Sequence, residues 1–143
     1  MSLSFERLYP FLFAIASSIL ALVQGASLPT DASFCAGLLS AAISASAIFV
    51  GFVATAKSII MALPTEGIRK QLHDSGYIID LACYLNQAMA GNLFFCALNI
   101  GGFFPAVQSN LIWFTPLWVG LGVFSLLAFW RVGRFMSAIL RMR

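Results

Sequence analysis

The sequence predicts an all-α integral membrane protein, in which four transmembrane helices form an antiparallel bundle with both termini in the cytoplasm. Of the 143 residues, 61% are hydrophobic and only 9% are charged, and the mean hydropathy is +0.94. This is more apolar surface than a soluble domain of such a size buries. A helix needs about 20 apolar residues to cross a membrane, so four spans account for nearly the whole chain. We therefore expect a single transmembrane domain, 1–143, without a separate soluble domain.

Four apolar segments are nearly free of charge, and the predicted spans are 8–26, 34–56, 81–104 and 111–130. The connections 27–33 and 105–110 are short, which makes successive helices antiparallel neighbours. The longer connection, 63–80, and the basic tail, 131–143, are both predicted to be cytoplasmic.

The orientation follows from the basic residues, because all of them lie on one side of this four-span arrangement. They are Arg7, Lys57, Arg69, Lys70, Arg131, Arg134, Arg141 and Arg143. Positive charge stays on the cytoplasmic side of a membrane, so both termini are expected inside. A competing interpretation treats the first segment as a signal peptide that is cleaved near Val23-Gln24-Gly25. The apolar run of this segment is longer than the apolar core of most signal peptides, which favours a transmembrane span.

The second span contains the most specific pattern in the chain, a seam of small residues at alternating steps of three and four. Its members are Gly37, Ser40, Ser44, Ala47, Gly51, Ala54 and Ser58. Lipid tails give apolar helices no hydrophobic reason to associate, and close backbone approach along small residues is what brings helices together. The seam therefore predicts a tight helix interface, either within one chain or between subunits. The simpler explanation is that this segment is rich in Ala and Ser throughout.

Three polar residues near membrane depth are candidates for a pore or for hydrogen bonds between helices. Asn92 and Asn99 are seven residues apart and so lie near one angular position of the third span. Their amides need partners, which are either other helices or a wet passage between subunits. Lys57 lies in an apolar run that exceeds a membrane core, so its helix is expected to project into the cytoplasm. Its ammonium then reaches the headgroups, or alternatively lines a pore or faces a ligand.

The cytoplasmic side offers two further candidate contacts. Residues 65–76 have the pattern of a short helix, and Arg69 and Lys70 within it are candidates for binding a cytosolic partner. The tail after the fourth span has a helical pattern with a basic face, which favours binding to anionic headgroups. The predicted headgroup contacts are Arg131, Arg134, Arg141 and Arg143.

The sequence contains no pattern typical of an enzyme. It has no nucleophile, base and acid set, no metal-ligand spacing and no phosphate-binding glycine loop, so no catalytic residue, cofactor or metal is predicted. The single histidine, His73, is best interpreted as a solvated loop residue. Basic residues flank apolar helices and form no stripe interleaved with aromatic residues, which argues against nucleic-acid binding. Cys35, Cys83 and Cys96 are expected to serve in packing.

The stretch from Ile48 to Ile60, followed by the basic connection and by residues 81–85, resembles small multi-span membrane subunits of bacterial anti-phage defence systems. The resemblance covers about a third of the chain. In those systems a membrane subunit works with a separately encoded cytosolic sensor or effector. The resemblance therefore implies a defence role, the bacterial inner membrane and a cytosolic partner. Many such proteins carry a soluble sensing domain, and this sequence contains no segment with the composition of one, so a self-contained sensor is not expected.

Three functions are therefore considered. The first is an oligomeric inner-membrane component of a defence system, which perturbs the membrane or relays its disturbance to a cytosolic partner. The second is a small channel or transporter subunit, and the third is a structural subunit of a larger membrane complex. The expected partners are membrane lipids, further copies of the chain and a cytosolic protein.

Overall fold

The computed structural model describes residues 3–29, 31–62, 77–108 and 111–141, and the regular structure in these ranges is entirely helical. The predicted all-α fold is confirmed. The helices are α1 (Leu3–Val23), α2 (Ala32–Ala62), α3 (Tyr77–Gly101), α4 (Pro105–Gln108) and α5 (Leu111–Arg141).

Helix α1 ends three residues before the predicted end of its span, because glycine allows a backbone conformation that stops the helix. Gly25 has a φ of 62°, in the left-handed region that glycine adopts without steric cost. The Ala26 N–H donates to the Ala21 carbonyl at 3.0 Å, and the Gly25 N–H donates to the Leu22 carbonyl at 3.1 Å. This pair of bonds is a Schellman motif, which satisfies the last carbonyls of α1.

Helix α2 begins at Ala32, two residues before the predicted span, and Asp31 caps its start. Its carboxylate accepts hydrogen bonds from the Ser33 hydroxyl at 2.7 Å and from the Ser33 N–H at 3.0 Å. These bonds hold the pKa of the Asp31 carboxyl below its ordinary value. A carboxyl with a lowered pKa stabilises the fold above its ordinary pKa and loses that effect as the pH falls.

The third predicted span extended to residue 104, whereas α3 ends at Gly101. The Gly102 N–H still bonds back to the carbonyl oxygens of Leu98 and Asn99, and Gly102 is buried. A Cβ at that position would lie 2.9 Å from Leu39 Cδ1 and 3.0 Å from Phe114 Cζ. The chain therefore turns through a closely packed glycine, and the short helix α4 occupies part of the predicted loop.

Three helical segments of the described chain are long and apolar enough to cross a membrane: Ala32–Ala62, Leu81–Gly101 and Leu111–Ser137. The first helix contributes a shorter apolar segment, Leu8–Val23, so a four-span topology remains a prediction. Both α2 and α5 contain 31 residues, which at about 1.5 Å per residue is about 46 Å and exceeds a hydrocarbon core of about 30 Å. Each helix has the length to cross a membrane and project beyond it.

The bundle is built around one central pair of helices. Helices α3 and α5 pack against each other, α1 packs on α5, and α2 packs on α3 with a smaller contact to α5. We call the end with residues 24–29 and α4 the loop end, and the opposite end, with Lys57 and Arg131, the basic end. Helices α2 and α5 run from the loop end to the basic end, and α1 and α3 run in the reverse direction.

Each end of the bundle has its own buried apolar cluster. At the basic end α2, α3 and α5 share a cluster that includes Val53, Leu85 and Val132. At the loop end the cluster includes Leu39 and Phe114. Contact between α2 and α5 is thus concentrated at two levels, and the helices are less closely packed between them.

Candidate functional site

The small-residue seam lies on the outward face of α2. All seven of its members, Gly37, Ser40, Ser44, Ala47, Gly51, Ala54 and Ser58, are exposed. The same helix buries a different set of residues against α3 and α5: Cys35, Leu39, Ser46, Val53 and Ala56. The seam is therefore not an interface within the described chain.

The outward face of α2 is open to close approach by another helix. A Cβ built on Gly37 or on Gly51 meets no atom within 4 Å. The hydroxyls of Ser44 and Ser58 donate to carbonyls of their own helix, both at 3.0 Å, so these two seam hydroxyls are satisfied locally. The large side chain of Phe52 is nearly half exposed on the same helix, and such side chains border the seam.

The two asparagines of α3 point into the bundle and connect α3 to α5. Asn92 is fully buried, donates to the Ala88 carbonyl at 2.8 Å and accepts a hydrogen bond from the Ser125 hydroxyl. Asn99 is also fully buried, and its Oδ1 accepts a hydrogen bond from Trp118 Nε1 at 2.7 Å. Both amides therefore act as interhelical polar contacts within this chain.

Lys57 lies at the basic end, on the contact between α2 and α3. Its Nζ donates to Asn86 Oδ1 at 3.0 Å, and the pair is open to the surroundings. Because α2 continues to Ala62, Lys57 is one turn or more from the end of its helix. This position suits a lysine that extends toward headgroups while tying α2 to α3.

Arg131 does not lie on an exposed basic face, where the tail pattern predicted it. Only 3% of its surface is exposed, its Cζ lies 4.0 Å from the centroid of the Tyr84 ring, and its Nη2 donates to Gln87 Oε1. A guanidinium over an aromatic face gains a cation–π attraction. Arg131 is thus an internal contact between α5 and α3, because its position on α5 faces the neighbouring helix.

Arg134, three residues later, is exposed, and its contact with headgroups remains a prediction. The side chain of Arg141, together with Arg143, lies outside the described residues. The same holds for Arg69 and Lys70 and for the predicted helix 65–76.

Sequence reasoning missed the polar partners at the basic end. Asn86 and Gln87 were not among the predicted site residues, yet they accept hydrogen bonds from Lys57 and Arg131. The sequence did contain a signal for these pairs. Because α3 and α5 are antiparallel, the first part of α3 lies at the same level along the bundle as the last part of α5. Amides and cations of similar depth on adjacent helices are therefore candidate pairs.

A close helix contact was also missed, and it involves a glycine of α5. A Cβ on Gly120 would collide with the Ser18 hydroxyl and would lie 3.0 Å from the Ala14 carbonyl oxygen. Gly91 of α3 is likewise packed, because a Cβ there would lie 2.5 Å from Phe124 Cε1. Single glycines, rather than the long seam, allow the tight packing inside the bundle.

The cysteines differ in their surroundings. Cys35 is buried, as expected for a packing residue, whereas Cys83 is exposed and Cys96 is partly exposed, and all three thiols are free. No group of three His, Cys, Asp or Glu residues that could hold a metal ion occurs in the described part of the chain.

No family model matches the sequence, and comparison with curated proteins and with solved structures finds no match.

Proposed function

We propose that this chain is a membrane-spanning subunit that associates with further copies of itself through the outward seam of α2. The observation that carries the proposal is that all seven seam residues are exposed. In lipid, an apolar helix is as well solvated by acyl chains as by another apolar helix, so association depends on close packing and on hydrogen bonds. A continuous row of small residues permits such packing, and no helix in the described part of the chain packs on that row.

The basic end is the proposed site of communication with the cytoplasm. Three helices meet there, and polar pairs tie α2 and α5 to α3 through Lys57 with Asn86 and through Arg131 with Gln87. A change in how α2 packs in the oligomer would therefore alter its contacts with α3, and through α3 the position of α5. This coupling suits a component that relays a disturbance of the membrane to a cytosolic protein.

The defence role is a further part of the proposal and comes from the resemblance of residues 48–60. That segment contains the half of the seam that lies nearer the basic end, including Gly51 and Ala54. In this interpretation the chain is a non-catalytic, oligomeric component of the bacterial inner membrane, with both termini in the cytoplasm. A defence component should be encoded beside a gene for a cytosolic effector.

The buried asparagines weaken the case for a channel through one chain. Asn92 and Asn99 bond to Ser125 and Trp118 in the interior, so their amides are engaged and do not line a wet passage. The channel hypothesis consequently requires a route between subunits, and the geometry favours the oligomeric component.

The proposal is tested by the mass of the intact protein in mild detergent and in nanodiscs. The wild-type protein should be an oligomer. Gly51→Leu should dissociate it, because a large side chain at an open position on the seam separates the helices. Gly133→Leu is the matched control, since a Cβ on Gly133 also meets nothing within 4 Å but Gly133 lies on α5. This variant should remain oligomeric.

Two results would overturn the proposal. A monomeric wild-type protein in nanodiscs would exclude self-association, and an intact oligomer in Gly51→Leu would exclude the seam as its interface. For the defence role, protection of cells against phage should be lost in Gly51→Leu and kept in Gly133→Leu.

A further inference from the structure

A side groove opens between α2 and α5, at the level where these helices are less closely packed. Its walls are formed by Ala42 and Ala45 of α2 and by Trp118 and Gly122 of α5, and Phe95 of α3 forms its floor. The groove has a volume of about 430 Å³, within the range of about 300–1,000 Å³ of small-molecule sites. Small residues on facing helices create this space.

Both ends of the groove are closed by side-chain contacts. At the loop end, Leu39 and Phe114 belong to one buried cluster. At the basic end, the Phe49 and Phe129 rings stack with centroids 4.3 Å apart, and Phe52 meets Phe129 edge-on at 5.3 Å. The groove is therefore reached from the side of the bundle, past the exposed Leu126 and Ala41.

The surface of the groove is apolar. Its two serine hydroxyls are already engaged, because Ser46 donates to the Ala42 carbonyl at 2.7 Å and Ser125 donates to Asn92. Trp118 presents its ring to the groove while its N–H bonds to Asn99. A polar ligand would lose its hydration here and gain few hydrogen bonds in return.

We infer that this groove binds the hydrocarbon tail of a membrane lipid, an inference that rests on the proposed membrane location. The lining of α2 runs from Leu38 to Phe49, near the middle of the predicted span 34–56. At this depth, headgroups are about 15 Å away, half of a hydrocarbon core of about 30 Å. Lateral access, an apolar surface and mid-membrane depth together select an acyl chain.

The groove is separate from the proposed oligomer interface. Ala45 lies in the groove, whereas Ala47 and Gly51 of the seam lie on an adjacent, outward face of α2. The Trp118 ring, fixed by its bond to Asn99, is a built-in reporter of what occupies the groove.

The experiment measures fluorescence quenching of Trp118 by brominated lipids. Trp113 and Trp130 are replaced with Phe in the full chain, which is then reconstituted in phosphatidylcholine vesicles with bromine at mid-chain carbons. We expect Trp118 to be strongly quenched relative to vesicles without bromine. Ala45→Phe fills the groove and should remove most of this quenching, whereas Ala97→Phe, on the exposed face of α3, should leave it unchanged.

Ala41→Phe, at the exposed rim, serves as a second filling variant if Ala45→Phe fails to fold. A variant that keeps only Trp113, which is 74% exposed, reports insertion with bromine nearer the headgroups. Quenched Trp113 with unquenched Trp118 would overturn the lipid site alone, and failure to quench either would overturn the membrane location as well. Quenching of Trp118 that survives both filling variants would also overturn the site. Quenching that emerges only when the protein is diluted in lipid would overturn it too, because it would show that a second copy of the chain occupies the groove.

Discussion

The contact between α1 and α5 and the outward seam of α2 use small residues in opposite ways. At Gly120 the missing side chain admits Ser18 and the Ala14 carbonyl, which lies 3.0 Å from the place of a Cβ. At Gly37 and Gly51 the same absence leaves open space. The contact between α1 and α5 depends on one glycine, whereas the longest small-residue pattern of the sequence has no helix packed on it within the described residues. A small-residue pattern thus indicates that a helix can be approached closely, and the partner has to be found from the structure.

The largest effect expected from this comparison is that of Gly120→Leu. A leucine there must displace Ser18 and the α1 backbone, and overpacking of a tight site costs about 3 kcal/mol. Denaturant unfolding in mild detergent, followed by circular dichroism, should show the loss. Gly133→Leu is the control, and stability that is equal in both variants would mean that the contact between α1 and α5 is not close.

The same contrast between an internal and an outward position applies to two arginines of α5. Arg131→Gln should lower the free energy of unfolding by about 2 kcal/mol, because it removes the cation–π contact with Tyr84 and a charge-assisted hydrogen bond to Gln87. Arg134→Gln, at an exposed position, should change it by less than about 0.5 kcal/mol. It should instead weaken association of the full chain with anionic lipids. Equal destabilisation by the two variants would contradict the internal placement of Arg131.

A smaller effect is expected for the hydrogen bond between Asn99 and Trp118, which joins the central pair of helices. A double-mutant cycle with Asn99→Leu and Trp118→Phe should give a coupling of about 1 kcal/mol, typical of interhelical bonds in membranes. Unfolding in detergent measures the four proteins of the cycle. Additive single effects would mean that Asn99 has another partner.

The smallest effect on one chain is expected for Ser44→Ala in the seam. Its hydroxyl bonds within α2, so its loss should change the stability of the monomer by less than about 0.5 kcal/mol. The oligomer should persist, because alanine is also small. An oligomer that dissociates in this variant would show that the hydroxyl bonds between subunits.

The helices themselves could be predicted from the sequence, because long apolar segments without charge leave the backbone few alternatives to a helix. Their ends could be predicted only within a few residues. The ends of α1 and α3 depend on Gly25 and Gly102, whose roles follow from local hydrogen bonds and packing. A hydropathy pattern does not contain that information.

The faces of the helices were harder to predict. Helix α2 is apolar all round, so its pattern does not distinguish the buried Val53 from the exposed Gly51. Arg131 was expected on the basic face of the tail, in contact with headgroups, and its inward position depends on Tyr84 and Gln87 of another helix. Which partner a residue meets is a property of the assembled bundle, and one sequence specifies it only weakly.

The connection between α1 and α2 has a mechanical consequence. The Leu28 N–H donates to the Thr115 hydroxyl at 3.0 Å, and Leu28 is buried in the loop-end cluster, so this connection is pinned to the start of α5. A tilt of α2 by about 5° about this pinned end would displace the opposite end, about 46 Å away, by about 4 Å. The displacement would be largest at Ala62, where α2 ends and the connection that contains Arg69 and Lys70 begins.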